Sequence, residues 1–244
     1  MTEIGIFGSE GRMGQAIAAM LDGMGAGHAG GVDKGGDALS LAKDADVLVD
    51  FSTPEALAAH LDAARGAGTP ILIGTTGLEQ AHHDAIDAAA KEIPVLLAAN
   101  TSLGVNLLAH LVRDAARRLG SDWDIEIVEM HHRHKVDAPS GTALLLGRAA
   151  AEGRGIRLED HAVTAREGQT GPREAGTIGF ATLRGGTVIG EHQVILALDQ
   201  ERITLGHIAE DRGVFANGAV AAALWLRGRP PGLYTMSDVL GITS

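Results

Sequence analysis

The chain has 244 residues, which is long enough for a sizeable hydrophobic core and for two lobes, so a small module held together by disulfides or metal ions is excluded. It contains no cysteine, which excludes disulfides, thiolate zinc sites, iron–sulfur clusters and thiol nucleophiles. Its net charge of −11 repels polyanions and argues against general binding to nucleic acid or to anionic membranes.

Neither end of the chain has the pattern of a targeting segment. No Lys or Arg precedes the first apolar run, Ile4–Phe7. That run is shorter than the roughly 7 to 15 apolar residues of a signal peptide. The longest apolar run, Ala219–Leu226, is well below the roughly 18 residues needed to span a bilayer. The sequence therefore predicts a soluble, cytoplasmic protein.

Short apolar runs alternate with longer amphipathic segments through the first half of the chain. The predicted strands are Ile4–Phe7, Ala29–Asp33, Val47–Phe51, Ile71–Gly74, Val95–Ala98 and Ile125–Met130. Helices are predicted to begin near Arg12, Pro54, Leu78 and Leu103. Apolar strands that alternate with helices are typical of a parallel sheet covered on both faces, so the sequence predicts an α/β fold.

The pattern changes after about residue 176, where partly alternating runs predict strands joined by hairpins. The runs are Gly176–Arg184, Val188–Leu198 and Arg202–Ala209, and they are separated by Gly185-Gly186 and by Asp199-Gln200-Glu201. Before them, Glu152–Pro172 has no clear period and predicts a connecting segment or mobile loop. After them, Phe215–Arg227 predicts a further helix.

A glycine-rich turn, Gly8–Gly14 (GSEGRMG), lies between the first strand and the first helix. A dinucleotide pyrophosphate binds at such a position to N–H groups of the helix N-terminus, although GxxGxxG departs from the general GxGxxG fingerprint. Asp33 ends the second strand, where a carboxylate can accept hydrogen bonds from the adenosine ribose. Lys34 beside it would tolerate a 2′-phosphate, so both NADH and NADPH stay open. A plain glycine turn is the alternative.

Three more loops follow the ends of predicted strands. They are Asp50-Phe51-Ser52, Gly74-Thr75-Thr76-Gly77 and Ala98-Ala99-Asn100-Thr101-Ser102. Ligands of an open parallel sheet bind outside the carboxyl ends of its strands, so these loops lie at the expected edge. Each loop alone is equally compatible with an ordinary turn or helix cap.

The most unusual segment is Glu129–Thr142 (EMHHRHKVDAPSGT), which carries five consecutive residues able to hold positive charge in an acidic protein. These residues are His131, His132, Arg133, His134 and Lys135. Their mutual repulsion is costly unless an anion binds. Ser140 predicts the N-cap of a helix whose Gly141 and Thr142 N–H groups can hold a carboxylate. The segment therefore predicts a site for a dianionic substrate.

Other interpretations of the histidines stay open. His132 and His134 could ligate one metal ion through neutral imidazoles, although no obvious third ligand accompanies them. The cations could also form a solvated surface. The pair His82-His83 lies on a predicted helix without a partner motif, and a surface position is expected for it.

Together these motifs resemble the 4-hydroxy-tetrahydrodipicolinate reductases, the dihydrodipicolinate reductase family of lysine biosynthesis in bacteria and plants. The resemblance covers nearly the whole chain and rests on GSEGRMG at 8–14, DFSTPE at 50–55, GTTG at 74–77, AANTSLGVN at 98–106, EMHHRHKVDAPSGT at 129–142 and FANGAV at 215–220. The chain departs from the family pattern at Glu10, which fills a variable position, and after Asp33, where the region is short. Thr101 stands where Phe is also common and could alter cofactor fit.

The resemblance implies a Rossmann-like parallel-sheet nucleotide-binding domain, residues 1–102 with 212–244. It also implies an inserted α+β domain, residues 103–211, for substrate binding and tetramerisation. The implied activity is the NAD(P)H-dependent reduction of 4-hydroxy-tetrahydrodipicolinate or dihydrodipicolinate to tetrahydrodipicolinate, in the diaminopimelate route of lysine biosynthesis. A homotetramer without bound metal is implied.

The resemblance also implies a role for individual residues. His131 would be the general acid or base, and Lys135 a proton donor that polarises the ring nitrogen. His132 and the amides of Gly141 and Thr142 would bind the substrate carboxylates. Arg212 would approach the cofactor. The implied NADH or NADPH site consists of Gly8, Ser9, Glu10, Gly11, Arg12, Met13, Asp33, Lys34, Gly74, Thr75, Thr76, Ala98, Ala99, Asn100 and Thr101.

Three rival functions remain open on the sequence alone. The chain could bind NAD(H) as a sensor without turnover. It could reduce another dicarboxylate on the same fold, or it could be a metal-dependent hydrolase.

Overall fold

The chain forms two structural units in a computed structural model that describes residues 1–242. The first unit contains Met1–Leu103 and the chain from Gly213 onward, and the second contains Gly104–Arg212. The second unit is therefore an insertion in the first. No helix within residues 1–242 is both long and apolar enough to cross a membrane.

Strands and helices alternate from the start of the chain. The strands are β1 (Thr2–Phe7), β2 (Ala26–Val32), β3 (Val47–Asp50), β4 (Ile71–Ile73), β5 (Pro94–Leu97), β6 (Asp124–His131), β7 (Ala162–Val163), β8 (Ile178–Arg184), β9 (Gly190–Leu198), β10 (Glu201–Ala209) and β11 (Gly232–Tyr234). The helices are α1 (Arg12–Met20), α2 (Ala38–Asp44), α3 (Pro54–Ala67), α4 (Gln80–Ala89), α5 (Leu103–Leu119), α6 (Gly141–Arg154), α7 (Leu158–His161), α8 (Gly213–Leu226) and α9 (Met236–Val239). A 3-10 turn, Asp22–Met24, follows α1.

The first unit contains a six-stranded parallel sheet with the order β11-β5-β4-β3-β1-β2. The chain moves from β1 outward to β2 and then returns to the other side of β1 as β3. Ligands of open α/β sheets bind at such a reversal, beyond the carboxyl ends of the two strands that flank it. The predicted Rossmann-like α/β fold is confirmed, and the glycine turn after β1 lies at this reversal.

Both faces of this sheet are covered. Ile4 and Ile6 of β1 are fully buried in one cluster with side chains of α1 and α8, such as Ile17. Phe7 points the other way and packs with Leu57 of α3. Successive side chains of a strand alternate between faces, so a sheet buried on both sides requires nearly continuous apolar runs. That requirement explains why these strands were readily predicted from the sequence.

The second unit contains a five-stranded mixed sheet with the order β10-β9-β6-β8-β7. The odd-numbered residues of β6, such as Ile125 and Ile127, are buried in a cluster with Val112 of α5 and Leu146 of α6. The opposite face of the sheet also carries apolar side chains, and Leu183 there is 49% exposed.

The predicted strand pairing in the second unit is correct at one connection and wrong at the other. β9 and β10 form a hairpin in which Leu198 pairs with Glu201. β8 and β9 do not pair, because β6 lies between them, parallel to β8 and antiparallel to β9. The Gly185-Gly186 connection is therefore no hairpin. Pairing with a strand from much earlier in the chain leaves no local signal in the sequence.

Smaller differences concern element ends. β2 ends at Val32, so Asp33 lies just beyond it, and α4 begins at Gln80 instead of Leu78. The short helix α2, which was not predicted, is capped by Asp37, whose carboxylate accepts a hydrogen bond from the Ser40 N–H at 3.0 Å. The segment predicted as a connection, Glu152–Pro172, contains the end of α6 together with α7 and β7.

Candidate active site

The glycine turn after β1 requires glycine at two positions for different steric reasons. Gly8 has a φ of +79°, and a Cβ there would lie 2.6 Å from the Phe51 carbonyl oxygen. A Cβ on Gly14 would lie 2.3 Å from the Gly8 carbonyl oxygen, so α1 packs directly on the turn. Gly11 is the N-cap of α1, and no side chain caps that end, which begins with Arg12 and Met13. N–H groups at such a helix end favour a phosphate.

Asp33 is connected to this turn by hydrogen bonds. Its Oδ2 atom accepts a hydrogen bond from the Ser9 hydroxyl at 2.6 Å and another from the Glu10 N–H at 3.0 Å. Lys34 follows it and is exposed. The structure therefore brings the predicted residues Ser9, Glu10 and Asp33 together, although β2 and the turn are separated in the sequence.

The Thr75 side chain belongs to a buried polar network centred on Asp50. Thr75 Oγ1 donates to Asp50 Oδ1 at 2.9 Å and accepts a hydrogen bond from the Ser52 N–H at 3.1 Å. Asp50 also accepts from the Ser52 hydroxyl at 2.6 Å and contacts His60 Nδ1 at 2.8 Å. His60 in turn stacks on Phe7 at 3.9 Å between ring centroids. This network connects the loops after β3 and β4 and was missed at the sequence level.

The other predicted nucleotide-contacting residues lie in the loops after β4 and β5. A Cβ on Gly74 would lie 2.2 Å from the Phe51 ring, so this loop approaches the one after β3 closely. Thr76 and Ala99 are exposed, whereas Ala98 is buried. Asn100 Oδ1 accepts a hydrogen bond from the Ser102 N–H at 2.9 Å.

Thr101, in the loop after β5, is packed against α8. Its side chain is buried, and Oγ1 donates to the Phe215 carbonyl oxygen of α8 at 2.7 Å. The backbone of this loop also approaches α8 closely, because a Cβ on Gly218 would lie 1.8 Å from the Thr101 carbonyl oxygen. The Thr101 hydroxyl therefore holds the loop after β5 against α8.

In the second unit, His131 and Glu129 occupy alternate positions at the end of β6. Both side chains point to the helix-covered face, and Glu129 is 1% exposed. His131 Nδ1 lies 2.5 Å from Glu129 Oε2. The Arg184 guanidinium of β8 donates to both carboxylate oxygens of Glu129, at 2.8 and 3.0 Å. Sequence analysis missed Glu129 and Arg184 as site residues, although an acid two positions before a histidine on one strand was a usable signal.

The ionisation of Glu129 follows from these contacts. Burial by itself raises the pKa of a carboxyl group, but hydrogen bonds from Arg184 and His131 outweigh burial and lower the pKa of Glu129. Glu129 is therefore a carboxylate at neutral pH.

The predicted N-cap of α6 is confirmed. Ser140 Oγ accepts a hydrogen bond from the Ala143 N–H at 3.1 Å, and the Ser140 N–H donates to Glu129 Oε1 at 3.0 Å. Gly141 is exposed and Thr142 half-buried at the first positions of the helix. The N-terminus of α6 thus lies beside the Glu129–His131 pair.

The chain turns after His131. The Lys135 N–H donates to the His132 carbonyl oxygen at 3.1 Å. Lys135 Nζ lies 2.8 Å from Asp137 Oδ1, and that ion pair lowers the pKa of Asp137. Within residues 1–242, no three His, Asp or Glu side chains are grouped so that they could hold a metal ion.

His132 is paired with a permanent cation. Arg212 Nη2 lies 3.3 Å from His132 Nε2. Arginine has no acceptor atom, so Nε2 of His132 accepts this hydrogen bond and the ring is neutral. Burial and the Arg212 charge lower the pKa of His132 accordingly. Arg212, which was expected near the cofactor, is thus placed against a predicted substrate-binding residue.

Comparisons with known proteins agree along the whole chain. Family models described as "Dihydrodipicolinate reductase, N-terminus" and "Dihydrodipicolinate reductase, C-terminus" match residues 2–101 and 104–240. The chain is similar to proteins named 4-hydroxy-tetrahydrodipicolinate reductase. The one from Zymomonas mobilis is 58% identical, covering 98% of this chain and 97% of the relative. The one from Caulobacter vibrioides is 51% identical, with the same coverage of both chains.

Solved structures show the same fold at lower identity. "Dipicolinate bound Dihydrodipicolinate reductase from Paenisporosarcina sp. TG-14" superposes with a TM-score of 0.78 at 22% identity, covering 98% of each chain. An amine dehydrogenase from Mycobacterium smegmatis superposes with a TM-score of 0.63 at 12% identity, covering 96% of this chain and 95% of that one. These likenesses concern the fold alone.

Proposed function

The chain belongs to the dihydrodipicolinate reductase family, and from this membership we infer that it reduces 4-hydroxy-tetrahydrodipicolinate to tetrahydrodipicolinate with a nicotinamide nucleotide. It is an oxidoreductase of the diaminopimelate route of lysine biosynthesis. The family resemblance seen in the sequence motifs is confirmed. One observation supports the assignment of the reaction chemistry. The buried Glu129–His131 pair lies beside the N-terminus of α6 and is followed by the turn that contains Lys135.

The first unit fits a nicotinamide nucleotide. The turn at Gly8 and Gly14 has no room for side chains, and the N-terminus of α1 has no side-chain cap. We assign the pyrophosphate to Gly8–Met13, the adenosine ribose to Asp33 and Lys34, and the nicotinamide half to the loops 74–76 and 98–101. When bound, the reduced nicotinamide supplies a hydride to the substrate ring.

NADH is the preferred nucleotide in this proposal. The Asp33 carboxylate is fixed at the turn by two hydrogen bonds, and the exposed Glu10 is its neighbour. A 2′-phosphate would bring further negative charge to these two acids, and Lys34 would offset only part of it. We therefore expect NADPH to be used less efficiently. This reaction is assigned to the cytoplasm, where reduced nicotinamide nucleotides are available.

His131 and Lys135 move the protons. Loss of water from the substrate leaves a conjugated cyclic imine, and hydride addition at ring carbon C4 pushes electron density toward the ring nitrogen. The Lys135 ammonium stabilises that density, and a proton from His131 completes the reduction at the neighbouring carbon. The overall change consumes one hydride and one proton and releases one water.

The substrate carboxylates bind to N–H groups and to a fixed cation. The Gly141 N–H at the exposed N-terminus of α6, with that of Thr142, receives one carboxylate. His132 is neutral, so it contributes an N–H donor, while Arg212 beside it contributes the positive charge. We propose that the second unit, residues 104–212, carries this part of the site.

A homotetramer accounts for the uncovered face of the second sheet. Even-numbered residues of β6 point away from the helices, and register places Met130 beside Leu183. Further apolar side chains of this face are Val128, Ala181, Ile195 and Ile208. Contiguous exposed apolar side chains mark an interaction surface, and we assign it to other copies of this chain.

The test is oxidation of NADH and of NADPH by the purified protein, with substrate formed in place from pyruvate and aspartate semialdehyde by the preceding synthase. Rapid oxidation that depends on the synthase, and is faster with NADH, is the expected result. Binding of both nucleotides without oxidation of either would contradict the proposed reductase.

A further inference from the structure

We propose that Glu129, held by Arg184, is the positioning residue that fixes the tautomer of His131. The inference deepens the proposed function and rests on it in one respect, the role of His131 as proton donor. The contact between Glu129 and the His131 ring is argued from the geometry alone.

The Glu129 carboxylate is saturated with donors. Oε2 faces His131 Nδ1 at 2.5 Å and Arg184 Nη1 at 2.8 Å, and Oε1 faces the Ser140 N–H and Arg184 Nη2, each at 3.0 Å. A carboxylate offers about four acceptor positions, and four N–H groups point to them here. Each of the four contacts therefore requires a proton on the partner nitrogen.

The tautomer of His131 follows from this saturation. An ionised carboxylate only accepts hydrogen bonds, so Nδ1 of His131 carries a hydrogen in every protonation state of the ring. The proton that the ring gains and loses is then on Nε2. A Cβ on Gly190 would lie 3.1 Å from that Nε2, so the glycine keeps the space beside the exchanging nitrogen open.

Arg184 has a separate task. It neutralises a carboxylate that is 1% exposed, and it keeps that carboxylate from taking the His131 proton. The bidentate contact also fixes the carboxylate plane. Because Ser140 N–H donates to the same carboxylate, Glu129 also fixes the start of α6, where the substrate carboxylate binds in the proposed function.

Other charged and titratable groups face His131 as well. His192 of β9 meets it edge to face at 5.0 Å between ring centroids, and burial lowers the pKa of His192 to about 4, so that ring is neutral. His207 of β10 pairs in register with His192 and is also neutral, because burial lowers its pKa. The neutral His132 and Lys135, which is paired with Asp137, lie on the turn that follows His131. Glu129 is the negative charge in direct contact with the ring.

The experiment compares the wild type with Glu129→Gln, using NMR of ring-labelled histidine and the pH dependence of kcat/KM. In the wild type we expect the Nδ1–H tautomer. In Glu129→Gln the amide oxygen can accept a hydrogen bond and the amide NH2 can donate one, so Nδ1 no longer has to carry a hydrogen. The Nε2–H tautomer should become populated, and kcat/KM should fall across the pH profile.

Glu126→Gln is the matched control. Glu126 lies on the same strand and, like Glu129, is held by arginine side chains, in this case Arg166 and Arg173. These contacts lower the pKa of Glu126 as well. Its side chain points to the opposite face of the sheet. This variant should leave the His131 tautomer unchanged.

A second variant guards against misfolding. Glu129→Gln leaves the Arg184 charge without its carboxylate partner, whereas Glu129→Gln with Arg184→Gln removes both charges and should also populate the Nε2–H tautomer of His131. An unchanged tautomer of His131 in the folded variants would overturn the inference, whatever their activity. An altered tautomer with an unchanged kcat/KM profile would instead overturn the role of His131 as proton donor.

Discussion

Ser140 Oγ lies 2.9 Å from His192 Nε2, so the hydroxyl that caps α6 is also joined to a buried histidine of β9. His192 Nδ1 is buried, and no hydrogen-bond partner for it lies among residues 1–242. If the His192 ring were protonated, a positive charge would be buried and its Nδ1–H group would lack an acceptor. Burial therefore lowers the pKa of His192 to about 4. The start of α6 therefore contacts a buried histidine that is neutral.

The first prediction concerns acid stability. The pKa of His192 is lower in the folded protein, about 4, than the ordinary value of 6.5. The unfolded chain therefore binds more protons between these two values, and the free energy of unfolding falls as pH drops from 6.5 towards 4. The full difference corresponds to about 3 kcal/mol.

Thermal unfolding measured between pH 7 and pH 4.5 tests this prediction. His192→Gln removes the titrating group, so its Tm should fall less steeply with decreasing pH than that of the wild type. The Tm of His207→Gln should also fall less steeply with decreasing pH, since burial lowers the pKa of His207 too. Parallel Tm curves for wild type and His192→Gln would refute the proposed dependence on His192.

The second prediction concerns the proton-transfer residues. His131→Ala and Lys135→Ala should each lower turnover by about 10²- to 10⁴-fold, because positioned acids and bases contribute that much. Nucleotide binding, measured by calorimetry, should persist. His134→Ala is the matched control, since His134 is an exposed neighbour without an assigned role, and it should keep near-normal turnover. Near-normal turnover of both test variants would rule out the assignment.

The third prediction isolates one N–H group at the start of α6. Gly141 is the first helical residue, where proline is tolerated, and Ser140 before it is already extended with a ψ of 156°. Gly141→Pro should thus fold but lose one donor to the substrate carboxylate. Because a hydrogen bond to a charged group contributes about 1.5 to 3 kcal/mol, KM should rise about tenfold or more.

Gly141→Ala provides the control for this experiment. It keeps the N–H group, and a Cβ at this position meets nothing within 4 Å. Its KM should equal that of the wild type. Equal KM values for Gly141→Pro and Gly141→Ala would show that the carboxylate binds elsewhere.

The fourth prediction concerns nucleotide preference. Asp33→Asn keeps the shape of the side chain and an oxygen that can accept from Ser9, but it removes the negative charge. The ratio of kcat/KM for NADPH to that for NADH should rise several-fold. Lys34→Ala should move the same ratio down. A ratio that is unchanged in Asp33→Asn would show that the acid does not discriminate between the nucleotides.

The fifth prediction tests assembly. A charge at the apolar face of the second sheet opposes burial against another copy, so Leu183→Glu should lower the mass in solution from that of four 25.1 kDa chains. Light scattering after gel filtration measures it. Leu39→Glu, at an exposed leucine of α2 in the first unit, is the control and should stay tetrameric. A wild-type mass of one chain would refute the tetramer.

Much of the first unit was predictable because its signals are local. Strands buried on both faces read as apolar runs, and Gly8 and Gly14 follow from a turn that leaves no space for a Cβ. The predicted cap at Ser140 is equally local, because its hydroxyl bonds to the N–H three residues later. The motif around His131 identified the family for the same reason, since all its residues are adjacent in the chain.

Contacts between distant segments were decided only by the tertiary structure. Arg184 reaches Glu129 because β8 pairs with β6, and that pairing also placed β6 between β8 and β9 where a hairpin was expected. Arg212 makes His132 neutral from the end of the second unit. The sequence by itself determined most elements of the parallel sheet, the turn chemistry and the family. Strand register and burial decided which charges meet, because a side chain's ionisation depends on neighbours that the folded chain brings to it.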